Sequence, residues 1–496
     1  MRKKNWLLIG IIVTVVFAIG VLIGGRNYST NLIENNDVLA TTAYIIEDYG
    51  TTYPLNGLEK IAFLFDHLLN NSHFTSDYDD LIRGAIQGMV DASSDPWAIL
   101  LEDNTMQDWI HNRSFDGLGI QSQEIDGYVI IRDIIVNSSA ERVGLLPGDA
   151  ILSVDGVNVN EAPLGSRQDA LADKLPNTRG MGVVLGVQRG NELLYIDATI
   201  LNTTVSGVIS DIIYYNESRI GYLRIPNWNL RTDEFTLTFL RQFRNDEVDG
   251  IVLDLRNNGG GSLDPVYNLL DELLPAGTRS FSEIFNGVRH PFIATGRPAS
   301  MRPWIEVDNV VILVNGATAS ASEIFTIGIM DSIGWDVVGT TTFGKGTRQN
   351  STFKLGSYRV QLTVSEYFRR NGNRIENYGI TPTIYVETSE LFALEPLHLS
   401  LDTVLVYDTV DNRTLRAQLI LESLSYEIIR TDGYFDNSTV LAVQSFQQDN
   451  GLTVTGTLNA ETSYALSLAL SSMQQNPFYD NQLLTAMRLL ATTGSE

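Results

Sequence analysis

Two short apolar runs limit what this chain can fold into more than any other feature. Residues 251–253 in VDGIVLDLRNNGGGS, and Val310 to Val314 in VDNVVILVNGATASASEIFTIGIMDSIG, show no polar alternation, and each ends in a turn signal. A strand with no polar face is buried on both sides, as in parallel sheets whose crossovers put helices on both faces. A helical pattern follows the second run over residues 320–333, and SRIGYLRIPNW adds a further buried strand ahead of the first. The alternation predicts an α/β core.

The chain has 496 residues, too many for one core, so several domains are expected. A formal net charge of −25 argues against nucleic acid or an anionic lipid surface as partner, because affinity for polyanions comes from Lys and Arg clusters. With no cysteine there is no disulfide, thiolate nucleophile or cysteine metal site, so a nucleophile must be a hydroxyl, carboxylate or amine. No metal or cofactor is implied.

The N-terminus places Arg2, Lys3 and Lys4 before an uncharged stretch running from Trp6 to Gly25. Its length matches the roughly 20 residues that a bilayer-spanning helix needs, whereas a cleaved signal peptide has a shorter apolar core and an A-x-A-like site. An uncleaved anchor over residues 1–25 is therefore expected, with the remainder extracytoplasmic by the positive-inside rule. LEKIAFLFDHLLNN and YDDLIRGAIQGMVDA then repeat apolar residues at helical spacing up to a stop at Asp95-Pro96. Residues 26–103 read as a helical segment for packing or dimerisation, and a homodimer is expected.

Short strand patterns separated by Gly, Asp-Gly and Pro-Gly occupy residues 104–200. The GLGI loop and the later run SSAERVGLLPGDAILSVDG resemble a PDZ domain. That resemblance implies that backbone N–H groups at Gly117, Leu118, Gly119 and Ile120 receive a peptide's terminal carboxylate while the peptide adds as a strand to the sheet edge. A Gly-rich hairpin without a ligand is the plainer alternative.

Chemistry has two candidate locations. In ATASASEI, Ser320 and Ser322 stand where a helix begins and unpaired N–H groups gather, although serines there also serve as ordinary caps. The second is GTTTFGKGTRQN, which matches a nucleotide-binding phosphate loop through Gly339, Gly344 and Lys345 and then fails: Gly346 replaces the Mg²⁺-holding hydroxyl, and a strand-like segment follows instead of a helix.

DLRNNGGG, NGATASASEI and TTFGKGTRQ, in that order behind a PDZ-like domain, resemble the carboxyl-terminal processing peptidases, or tail-specific proteases. The resemblance implies Ser320 as nucleophile, Lys345 as general base, Gln349 as its orienting partner, and the N–H groups of Ala321 and Gly260 as oxyanion donors. A lysine deprotonates a serine only as the free amine, so its pKa must fall below the ordinary value of about 10.4. Such a dyad needs no histidine, and His67, His73, His111, His290 and His398 all lie outside the motifs. Two positions depart from the family: Asn258-Gly259-Gly260-Gly261 lacks the usual N-P-G-G proline, and Thr383 stands where aspartate usually follows proline. The protease core is expected over residues 201–395.

Over residues 408–472 the chain resembles a small three-helix peptidoglycan-binding domain, carried by DGYFDNST, AVQSFQQDNGL and Thr455-Gly456-Thr457. Wall binding, dimerisation and substrate recruitment all remain open for it, and residues 473–496 read as a tail. Together these features describe an α/β multidomain, membrane-anchored, single-pass extracytoplasmic serine endopeptidase. Its expected partners are polypeptides with accessible C-termini, peptidoglycan and the membrane, with no nucleic acid. The rival is a proteolytically silent PDZ and wall-binding scaffold.

Overall fold

A computed structural model describes residues 57–74, 77–102, 114–204, 207–296 and 309–493. The expected membrane anchor lies outside them. Among the described residues no helix is long and apolar enough to cross a membrane.

Residues up to Ser94 and residues from Asp95 onward form separate compact units. The first contains the helices Gly57–Asn70 and Tyr78–Asp91. Asp77 caps the second by accepting from Asp79 N at 2.9 Å and Asp80 N at 3.1 Å, satisfying two donors that the first helical turn leaves open. Leu58, Ile61 and Leu64 are exposed among the described residues.

The helical segment expected to extend to residue 103 stops earlier. Beyond the Asp95-Pro96 break, Ile99–Glu102 is a strand that pairs antiparallel with Tyr358–Phe368, matching Ile99 to Gln361. Its partner lies far along the chain, so local periodicity carries no trace of the pairing.

The PDZ-like domain is an antiparallel sheet ordered Ile120–Ile125, Tyr128–Ile134, Ala150–Val154, Gly182–Arg189, Glu192–Thr199. Val129, Ile131, Leu145, Leu185 and Val187 fill its core. The chain enters and leaves through one two-stranded ribbon, Ser114–Gly117 against Leu201–Thr204.

The α/β core bears out the apolar runs. Ser218–Arg224, Gly250–Asp254, Val310–Val314, Asp336–Gly339 and Ile384–Tyr385 lie side by side in parallel, and Ile209–Tyr215 closes one edge antiparallel. All five residues of Gly250–Asp254 and of Val310–Val314 are buried. Thr232–Asn245, Asp264–Leu273 and Ala321–Ile333 contribute Leu240, Phe243, Leu269, Leu270, Phe325 and Ile329 to the core on one face. The other face is covered by a segment that read as a tail. Residues Asn481–Thr493 form a helix whose Leu483, Ala486, Met487 and Leu490 pack on Ile220, Val252, Val311, Leu313 and Val338. Arg256 fixes the approach to that helix by pairing with Asp254 at 2.6 Å and Asp480 at 2.7 Å. At the far edge of the sheet Thr383 accepts from Val337 N at 2.8 Å, so its hydroxyl does useful capping where the family has a carboxylate.

Asn412–Ser423, Asn437–Asp449 and Ala460–Gln475 are the three helices of the C-terminal module, started by Asp411, Asp436 and Asn459 caps. Val443 and Phe446 are buried and Val440 packs beside them, as their spacing predicts. Leu391, Leu397, Leu399 and Leu405 share this core, so the module begins well before residue 408. It is docked on the PDZ-like domain: Arg416 grips Asp126 at 2.8 and 3.1 Å, and Gln188 Nε2 donates to Leu399 O at 2.8 Å.

Candidate active site

The buried strand Val310–Val314 delivers the chain into a turn, and the helix Ala321–Ile333 leaves it. Ser320 stands at the junction with φ 56° and ψ −118°, a backbone conformation that a residue with a side chain enters only at a cost of about 1–3 kcal/mol. Strained elbows between strand and helix lift a side chain clear of both elements, and Ser320 is half-buried. Ser322 is fully buried and its hydroxyl accepts from Trp228 Nε1 at 2.9 Å. Of the two serines, only Ser320 is partly exposed.

The loop of DLRNNGGG is brought against this elbow. Asn257 N donates to Asn315 Oδ1 at 3.0 Å and Asn315 Nδ2 returns a bond to Asn257 Oδ1 at 2.9 Å, joining the two strand ends reciprocally. Ala319 N donates to Asn258 O at 3.0 Å. A Cβ on Gly260 would meet Ser320 Cβ at 2.8 Å and Ala321 N at 3.2 Å, so the glycine permits the close approach. Ala321 N heads the helix and has no acceptor among the described residues, as the first turn dictates. Gly260 differs from expectation, because its N–H donates to Asn258 Oδ1 at 2.9 Å. Asn258 also donates from Nδ2 to Ile225 O at 2.8 Å. These two side-chain bonds hold the loop where the family's proline is missing.

Lys345 arrives on the loop between Asp336–Gly339 and Thr347–Leu355. Gly344 has φ 91°, and a Cβ on Gly346 would meet Glu376 N at 2.5 Å, so both glycines flanking the lysine are required by backbone geometry. The residue that joins the lysine loop to the serine elbow is one the sequence reading passed over. Glu323, fully buried in the first turn of the serine helix, accepts four hydrogen bonds. Its Oε2 takes Ser320 N at 2.9 Å and Lys345 N at 2.8 Å. Its Oε1 takes Gly344 N at 2.8 Å and the Thr342 hydroxyl at 2.5 Å. Burial pushes its pKa up while these four donors work against the rise. The signal was present as S-x-x-E over Ser320 and Glu323, a capping-box pattern.

Burial lowers the Lys345 pKa below its ordinary value, and the carboxylates of Glu376 and Asp95 oppose that shift. Gln349 Nε2 donates to the hydroxyls of Thr347 at 3.1 Å and Thr363 at 3.2 Å, so its hydrogen bonds run to threonines beside the lysine loop.

In the PDZ-like domain Gly117 ends the entry ribbon, Leu118 is buried, and Ile120 begins the outermost strand of the sheet. The carbonyls of Leu118 and Gly119 accept from Ala140 N at 2.8 Å and Ile135 N at 2.9 Å. The outer strand is touched by the helix Arg167–Lys174, whose Gln168 Nε2 donates to Ser122 O at 2.6 Å. A peptide adding to this edge would compete with that bond.

Comparison with known proteins divides the chain in the same way. The pattern of Peptidase family S41 matches residues 219–386, that of a PDZ domain residues 117–200, and that of a putative peptidoglycan binding domain residues 411–466. The chain is 28% identical over 490 residues to the carboxy-terminal processing protease CtpB of Bacillus subtilis (strain 168), covering 97% of this chain and 98% of that protein. It is 28% identical over 425 residues to CtpA of the same organism, covering 83% and 86%. A probable CtpA-like serine protease of Staphylococcus aureus (strain COL) is 29% identical over 412 residues, covering 82% and 80%.

Proposed function

We propose that this chain, which is similar to the S41 carboxy-terminal processing serine proteases and carries PDZ and peptidoglycan-binding-like domains, is a membrane-anchored serine endopeptidase acting outside the cytoplasm through a Ser320–Lys345 dyad. The observation that carries the reading is the Glu323 carboxylate, which accepts from the backbone N–H of both Ser320 and Lys345 and so ties the two loops to one point.

In this mechanism the neutral Lys345 amine takes the Ser320 hydroxyl proton as Oγ bonds to the scissile carbonyl carbon. The carbonyl oxygen becomes an oxyanion held by Ala321 N–H and by Gly260 N–H once the latter exchanges Asn258 Oδ1 for substrate. The ammonium then gives its proton to the leaving amine as the C–N bond breaks, leaving an ester on Ser320 and releasing the first product. Water attacks the ester, Lys345 again takes the proton, and Oγ leaves with it to restore the enzyme. Gly117, Leu118, Gly119 and Ile120 select substrates by receiving a polypeptide's C-terminal carboxylate. The N-terminal stretch from Trp6 to Gly25 anchors the enzyme, the first helical unit pairs two copies, and the C-terminal module takes peptidoglycan as a second partner.

The test is hydrolysis of an unfolded protein by wild type, Ser320→Ala and Lys345→Ala, each checked for native circular dichroism. Both variants lose turnover if the dyad is right, and their combination loses no more than either alone. Turnover in folded Ser320→Ala rejects Ser320 as the nucleophile, whereas a folded wild type without turnover returns the protein to the scaffold reading.

A further inference from the structure

The lysine assigned as base is held by a part of the chain that none of the protease motifs includes. Its Nζ lies 4.1 Å from the centroid of the Trp97 ring. Trp97 is itself fixed from three sides. Its N–H donates to Asp95 Oδ1 at 3.0 Å, its indole Nε1 to Glu376 Oε1 at 3.4 Å, and its ring meets Phe343 edge-on with centroids 6.3 Å apart. The other Glu376 oxygen accepts from Gly346 N at 2.7 Å, next to the lysine. Asp95 accepts from Thr363 N at 2.7 Å and from the Thr363 hydroxyl at 2.8 Å, and that hydroxyl accepts from Gln349 Nε2 at 3.2 Å. One short segment, Asp95 to Trp97, thus reaches the lysine through its aromatic ring and the glutamine through Thr363.

We propose that Asp95, Trp97 and Glu376 are positioning residues of the Lys345 base, an aromatic floor and two carboxylate walls that fix where the amine sits and link it to Gln349. The inference rests on the Ser320–Lys345 reading. A lysine on a four-carbon stem has many rotamers, and a base is efficient only within hydrogen-bond reach of its proton. An aromatic face suits both protonation states: its quadrupole attracts the ammonium, and its apolar surface accepts the neutral amine without demanding a hydrogen bond. Asp95 and Glu376 are already engaged by Thr363, Trp97 and Gly346, so they favour the ammonium by charge while staying fixed by other donors. Two further groups border the site. Glu323 accepts from the Lys345 backbone N–H, and Arg374, which interacts with Glu376, is bonded to Glu366. The arrangement gives the strand that begins at Ile99 a purpose beyond the sheet, since its pairing anchors the chain just after the Asp95 to Trp97 segment that borders the lysine.

The test is the pH dependence of kcat and of kcat/KM for a short peptide, in the full chain, for wild type, Asp95→Asn, Glu376→Gln, Trp97→Leu and Trp97→Phe. Loss of either carboxylate removes a charge that favours the ammonium, so the ascending limb moves to lower pH in both variants. Trp97→Leu lowers kcat about 10- to 100-fold with KM within about twofold, as for a misplaced catalytic group, and Trp97→Phe restores most of it. Limbs unmoved in both carboxylate variants overturn the proposal, as does wild-type kcat in Trp97→Leu. If Trp97→Leu does not fold, the two carboxylate variants decide alone. Ser320→Ala and Lys345→Ala run in parallel: activity in either rejects the dyad itself, whereas dead dyad variants with unmoved limbs reject only the positioning role.

Discussion

Replacing Glu323 with glutamine changes one atom and should disable the site. The carboxylate accepts from Ser320 N and Lys345 N on one oxygen and from Gly344 N and Thr342 Oγ1 on the other. A glutamine keeps one oxygen and turns the other into an NH₂ group. Directed at Ser320 and Lys345, that group faces two N–H donors. Turned the other way it faces Gly344 N–H and a Thr342 hydroxyl that already accepts from Ile380 N at 2.7 Å. Either way two hydrogen bonds to a charged acceptor are lost, each worth about 1.5–3 kcal/mol, so we expect Glu323→Gln to cost about 3–6 kcal/mol. For a domain the size of the S41-matching core that lowers Tm by roughly 2–4 °C per kcal/mol. Because the same bonds tie the Ser320 and Lys345 loops together, on the proposed dyad kcat should fall by about 100-fold or more with KM little changed. Thermal unfolding and steady-state peptide kinetics measure the two effects. A variant that melts with wild type and turns over within twofold of it would show that the two loops hold their positions without Glu323.

Removal of residues 477–496 strips Leu483, Met487 and Leu490 from the protease sheet, and at roughly 1.5–3 kcal/mol per buried side chain the loss is about 5–9 kcal/mol, read as urea unfolding at lower concentration and loss of peptide hydrolysis. His398 is buried beside Tyr128 and its pKa is held down to about 4 by that burial, against the pull of Asp126. The unfolded chain takes up this proton from about pH 6.5 downward while the folded one does not, so stability is full above pH 6.5 and declines as pH falls toward 4; His398→Asn should flatten the decline in Tm over that window. A peptide with a free apolar C-terminus should bind the PDZ domain more tightly than its amidated twin in a fluorescence titration, and equal affinities would remove carboxylate capture from the account.

The parts of the fold written in local pattern were legible: the two apolar strands, the helix after Ser320, and the apolar face of Val440, Val443 and Phe446. What escaped was non-local. Nothing near Ile99 announces its pairing with Gln361, and LLTAMRLL near the C-terminus reads equally well as a loose tail until the sheet face it covers is known. The site divides along the same line. Ser320, Lys345 and Gln349 stand in motifs, whereas Glu323 meets a loop some twenty residues further on, and Trp97 meets Lys345 across about half of the chain. Gly260 shows a different limit: the family resemblance implies its N–H as an oxyanion donor and the structure puts its backbone beside Ser320, where Asn258 already occupies that N–H.

The central claim is that Lys345 makes Ser320 a nucleophile. Intact-protein and peptide mass spectrometry after treatment with a fluorophosphonate measures this directly, because the reagent is captured by an activated serine and leaves a stable phosphonyl ester. With a Ser320–Lys345 dyad one adduct forms, on Ser320, faster as pH rises through the depressed pKa of Lys345 and absent from Lys345→Ala. An adduct on any other residue, or labelling of Ser320 in Lys345→Ala at the wild-type rate, would contradict it.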